Sequence, residues 1–150
     1  MIAPSFRFRL ERLRALREHS EDAAKEALAG AMARHQQSEE QVRAASERVA
    51  EARAAQLDGA ARPSNATDLI ARQAYLERTE NAHHASRHDL HRHNLELAGR
   101  RDALAAAARD RQTLERLKEH RLADHQRETA RVEGLVLDEV AINSFRGRAA

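Results

Sequence analysis

Between Gly59 and Asn65 the sequence reads Gly-Ala-Ala-Arg-Pro-Ser-Asn, a break with no counterpart elsewhere in the chain. Proline removes a helix hydrogen bond and costs about 3 kcal/mol in a helix interior. The only other proline is Pro4, so the two long stretches flanking the break contain none. One break between two helix-permissive stretches predicts two helices folded back on each other, with a turn at residues 59–65. A pair of helices has almost no interior to house a catalytic pocket. The expectation is a protein that works by touching other proteins.

Composition agrees. The chain has 150 residues, a third of them charged, with no Trp, one Tyr and three Phe. Abundant Ala, Glu, Arg and Leu at helical spacing is the composition of long helices and coiled coils. Disorder competes, because the mean hydropathy is −0.78. A net charge of only +2 and the dominance of strong helix formers favour helix. Absence of Cys excludes disulfides and thiolate metal sites. No apolar run approaches the ~20 residues of a membrane span. The N-terminal arginines precede no apolar segment, so no secretory signal is predicted. These features fit a cytoplasmic protein.

The first helix is expected over about 5–58. Phe6, Leu10, Leu13, Ser20, Ala24, Ala27 and Ala31 follow coiled-coil steps, with Arg17 interrupting. A register shift at Ala31–His35 then leads to Ser38, Val42, Ala45, Val49 and Ala52. The second helix is expected over about 66–145. Ser64, Asn65 and Thr67 are candidate caps, and Asp68 suits the positive end of the helix dipole. Leu76, His83, Leu90, Leu97 and Leu104 recur every seven residues, with Glu80, Arg87, Asn94 and Arg101 read as the second seam position. The predicted fold class is therefore all-α: one domain over 1–150, an antiparallel two-helix coiled-coil hairpin with a longer C-terminal helix.

The break also serves as a ruler. At ~1.5 Å per residue, about 53 residues make a first helix near 80 Å and about 78 a second near 120 Å. Counting back from the turn sets Ser5 opposite roughly residue 119, where the second helix turns polar. An overhang of about 25 residues follows, carrying Val132, Leu135, Val136, Leu137, Val140, Ile142 and Phe145. Phe6 and Phe8, five arginines up to Arg17, Arg146 and Arg148 gather at the same end. That basic, aromatic end reads as a docking tip and the turn as the quiet end. The seam, Leu alternating with polar residues against Ala, predicts a weakly held pair.

Chemistry is sparse. His84, His88 and His91 share a helix face within a cluster that includes His83 and His93. No His-Glu-x-x-His motif accompanies them, so they read as a solvated face and no metal or other cofactor is predicted. There is no phosphate loop or nucleophile elbow, so no catalytic residue and no enzyme activity are expected. The 26 basic residues are interleaved with 24 acidic ones, which argues against a nucleic-acid partner.

Several runs together resemble the FliJ family of flagellar type III export proteins. They are Phe6-Arg7-Phe8-Arg9-Leu10-Glu11, Ser20-Glu21-Asp22-Ala23-Ala24, Gln36-Gln37-Ser38-Glu39-Glu40-Gln41-Val42, Leu114-Glu115-Arg116-Leu117-Lys118-Glu119 and Leu137-Asp138-Glu139-Val140-Ala141. The resemblance implies a stalk like that of rotary ATPases. It implies contact with a hexameric export ATPase, with the cytoplasmic domain of the export-gate membrane protein, and with export chaperones. It implies a cytoplasmic location, peripheral to the inner face of the cell membrane. Positions matching the family's gate-facing residues are Gln41, Ala45, Arg48, Ala52, Tyr75, Thr79 and Ala82, of which Gln41, Tyr75 and Ala82 carry over comfortably. The ATPase-contacting tip is expected at Phe6, Phe8, Leu10, Leu135, Val136, Asp138, Glu139, Ile142 and Phe145. A generic coiled-coil adaptor and the virulence-type secretion counterpart remain alternatives, as does an intermolecular coil.

Overall fold

A computed structural model describes residues 5–62 and 65–148, with the Arg148 side chain excluded. Pro4, Pro63 and Ser64, the two prolines and one of the candidate caps of the sequence reading, lie outside the described residues. Those residues form two helices and no strand: α1 spans Glu11–Ala60 and α2 spans Ala66–Arg148. Among the cap candidates the structure selects Asn65. Its Oδ1 accepts the Thr67 backbone N–H at 2.6 Å, and its carbonyl oxygen accepts that of Asp68 at 3.1 Å. α2 then continues through Gly134 without interruption.

The chain divides into two compact units, Asp22–Ala105 and the combination of Met1–Glu21 with Ala106–Ala150. In the first, two heptad columns of α1 face α2. One column is Ala24, Ala31, Ser38, Ala45, Ala52 and Gly59, buried from Ala31 onward; the other is Leu28, His35, Val42, Val49 and Gln56. Both columns run unbroken, so the register shift expected at Ala31–His35 is not present. The seam takes His35 as a half-buried member instead of sliding past it. On α2, Leu76, His83, Leu90, Leu97 and Leu104 lie at the seam as their spacing predicts.

The second α2 column is Thr79, Ser86 and His93, not the expected Glu80, Arg87, Asn94 and Arg101. The small side chains of α1 draw the backbones together, leaving room opposite them for short groups such as Thr79 and Ser86. Longer side chains are pushed to the edge, where they pair. Arg53 donates to Glu80 at 2.7 Å, Gln56 to Gln73 at 2.8 Å and Arg34 to Glu96 at 2.6 Å. His35 Nε2 lies 2.6 Å from the Asn94 Oδ1. Residue numbers fall on α2 as they rise on α1. At Gly59 a methyl group would meet the Arg72 guanidinium, so the small column ends in a close approach.

In the other unit the chain enters differently from the expectation. Ser5–Phe8 are not helical, Arg9–Leu10 form a turn, and α1 begins at Glu11, not near Ser5. Phe-Arg-Phe-Arg alternates with period two, which an extended chain turns into one aromatic face. Both Phe6 and Phe8 are half-buried, and the Phe6 ring meets the His125 imidazole edge-on at 5.6 Å. Phe6 therefore lies beside residue 125, beyond the expected limit near 119, because non-helical backbone spans more than the helical rise of about 1.5 Å per residue.

Leu10 and Leu13, expected in the seam, are exposed, and charged side chains are enclosed near them. Glu21 is buried against Arg111, Lys118 bonds Glu11 at 2.9 Å, and Arg14 reaches Glu115 at 3.4 Å. Arg17 does not merely interrupt: it pairs with Asp110 at 3.1 Å. Beyond His125, α2 continues to Arg148 and no described residue of α1 pairs with it.

Candidate partner-binding surfaces

The non-helical Phe6–Leu10 segment and α2 line a groove of about 550 Å³. Phe6, Phe8, Leu10 and Leu117 supply apolar walls, and Arg7, Arg9, Arg121 and His125 supply the polar ones. No carboxylate lines it. Arg7, Arg9 and Arg121 form no ion pair among the described residues. The groove thus presents uncompensated positive charge beside aromatic rings, suited to an acidic segment that also carries apolar side chains.

The overhang of α2 follows in the same unit. Val132, Leu135, Val136, Leu137, Val140, Ile142 and Phe145 are all exposed, Leu137 by 68% and Phe145 by 76%. Glu133, Asp138 and Glu139 lie among them, with no basic residue from 132 to 145. Of the expected tip residues, Phe6, Phe8 and Leu10 therefore share the groove, whereas Leu135, Val136, Asp138, Glu139, Ile142 and Phe145 lie along the exposed overhang.

The expected gate positions lie in the other unit and divide by burial. Ala45, Ala52 and Thr79 are buried between the helices, at 4%, 5% and 9% exposure, and are unavailable to a partner. Gln41, Arg48, Tyr75 and Ala82 are exposed. Arg48 and Ala82 share a shallow recess of about 120 Å³ floored by Ala45 and Thr79; Gln41 and Tyr75 lie outside it. The turn carries more apolar surface than the sequence reading gave it. Leu57 and Ile70 are 75% and 70% exposed, and Leu69 is exposed beside them. The missed signal is that Leu57 and Ile70 fall outside both heptad columns.

The ion pairs perturb their carboxylates. Lys118 first, then Arg14, holds the Glu11 carboxyl below its usual range, and Arg34 does the same to Glu96. On the overhang, Arg131 lowers Glu128 in the same way. Glu21, followed by Glu115, raises Arg111 further into its charged form. Of the histidines, His83 and His93 are drawn into the seam, while His84, His88 and His91 face outward. Among the described residues no group of three or more His, Cys, Asp or Glu is placed to hold a metal ion, and no helix is long and apolar enough to cross a membrane.

Comparison with curated proteins and with solved structures finds no match. The family described as the flagellar FliJ protein matches residues 6–150, from the first groove phenylalanine through the overhang. That span takes in the helices, the aromatic groove and the acidic apolar overhang together, and the chain belongs to the FliJ family of flagellar protein export components.

Proposed function

We propose that this protein is the non-enzymatic central stalk of the flagellar export apparatus. In this reading it is an antiparallel two-helix coiled coil that couples the hexameric export ATPase to the export gate and escorts export chaperones. It acts in the cytoplasm, peripheral to the inner face of the membrane. The observation that carries the reading is the overhang: an apolar helix face ending one unit, uncovered and adjoining an aromatic, cationic groove. A free protein gains nothing from such a face, whereas a ring with a central opening would bury it. Membership of the flagellar export family supports the export ATPase as that ring.

The tip, comprising Phe6, Phe8 and Leu10 with Leu135, Val136, Asp138, Glu139, Ile142 and Phe145, contacts the ATPase. Gln41, Tyr75 and Ala82 contact the gate. Deleting residues 132–150 is expected to abolish stimulation of ATP hydrolysis while circular dichroism retains the signal of the paired helices. Undiminished stimulation by the shortened chain would place the ATPase contact elsewhere. Tyr75 is 48% exposed and falls outside the Leu76 and Thr79 columns of α2. Tyr75→Ala is therefore expected to weaken gate binding about tenfold, the loss of one well-buried aromatic anchor, with helicity unchanged.

A further inference from the structure

The groove and the overhang are complementary to each other. The groove offers Arg7, Arg9 and Arg121 with two phenylalanine rings and no acidic residue. The segment from Val132 to Phe145 offers Glu133, Asp138 and Glu139 among seven exposed apolar side chains and no basic residue. None of these six charges has an ion-pair partner among the described residues. The overhang leaves the groove as one continuous helix and cannot turn back into it, so a single chain cannot satisfy both. A second copy can.

We propose that two copies of this chain pair tip to tip, the overhang of each lying in the groove of the other. The arrangement is isologous: groove meets overhang twice, related by a two-fold axis. The two overhangs run side by side in opposite directions, each covering exposed apolar side chains of the other. At ~1.5 Å per residue, the overhang from residue 126 to 148 extends about 34 Å, long enough for Leu135 to Phe145 of one copy to reach Phe6 to Leu10 of the other. Groove and overhang together provide on the order of 20 residues a side, the size of a standard specific interface. The pairing stands independently of ATPase docking. Because it covers the same surface, it holds the tip closed until a stronger partner displaces the second copy.

Sedimentation of the full chain alone tests this. The weight-average mass should rise from 16.9 kDa toward twice that value with concentration, and fall back as salt is raised from 50 to 500 mM. Arg7→Glu/Arg9→Glu/Arg121→Glu should weaken pairing at least tenfold, as should Asp138→Arg/Glu139→Arg. Mixing these two variants should restore it, because both groove–overhang contacts then regain opposite charge. A mass fixed at 16.9 kDa at every concentration overturns the proposal, as does a mixture that stays monomeric. Circular dichroism checks that each variant keeps its helicity. If one does not, the salt series on the unaltered chain decides, and association indifferent to salt overturns the proposal. Loss of ATPase stimulation by the chain lacking residues 132–150 tests the stalk reading separately, so either can fail alone.

Discussion

Ser38 is 3% exposed at the centre of the seam, and its hydroxyl has no hydrogen-bond partner among the described residues. An unsatisfied buried hydroxyl costs about 1–3 kcal/mol, whereas a methyl group of nearly the same size loses nothing there. Ser38→Ala should therefore stabilise the protein by about 1 kcal/mol, read as a higher midpoint in thermal or urea unfolding. The sequence announces Ser38 as a seam residue by its spacing from Val42 and Ala45, but not that its hydroxyl goes unpaired. At the proposed gate positions residue type is a poor guide for the same reason. Ala45 and Ala82 are the same residue, yet one is buried between the helices and the other is exposed, because they occupy different angular positions on their helices.

Among the elements, the small column of α1 does most to set how the helices meet. Ala31, Ser38, Ala45, Ala52 and Gly59 leave no large side chain to hold α2 at a distance. Ala45→Leu adds three heavy atoms at a position 4% exposed, more than the shallow recess beside Thr79 takes without moving the helices apart. It should destabilise by about 1–3 kcal/mol, lowering the thermal midpoint while leaving the helices' intrinsic propensity intact. The heptad of Leu76, Leu90, Leu97 and Leu104 was legible because leucine marks a seam in any context. The facing column of Thr79, Ser86 and His93 was not, since polar residues at seam spacing look like the polar residues beside them. The start of α1 failed for a different reason. Phe6 and Leu10 fit a helical step, but Phe6 and Phe8 fit an extended one, and only the presence of Leu117, Arg121 and His125 as a packing surface selects the second.

At the level of the whole molecule, ion pairs between the helices supplement a thin apolar core of Ala31, Ala45, Val49, Ala52 and Leu97. Glu11 and Glu96 have carboxyl pKa values lowered from the usual 4.5 by Lys118 and Arg34 respectively. A lowered folded-state pKa contributes stability above the unfolded value and loses it as pH falls through the folded one. The stability gap between the native chain and Glu11→Gln/Glu96→Gln should thus be fully open above pH 5 and close as pH falls below 4.5, measured by urea unfolding across that range. These exposed pairs are also screened by salt, so the gap should narrow in 0.5 M NaCl. By itself the sequence determined the helices, the turn and the uncovered apolar end. Those follow from proline placement, helix propensity and periodicity, which act along a single strand of chain. Only the tertiary structure decided which small residues are buried, that Phe6 and Phe8 line a cationic groove, and which carboxylates are paired. Those depend on distances between residues far apart in sequence, set by how closely two backbones approach.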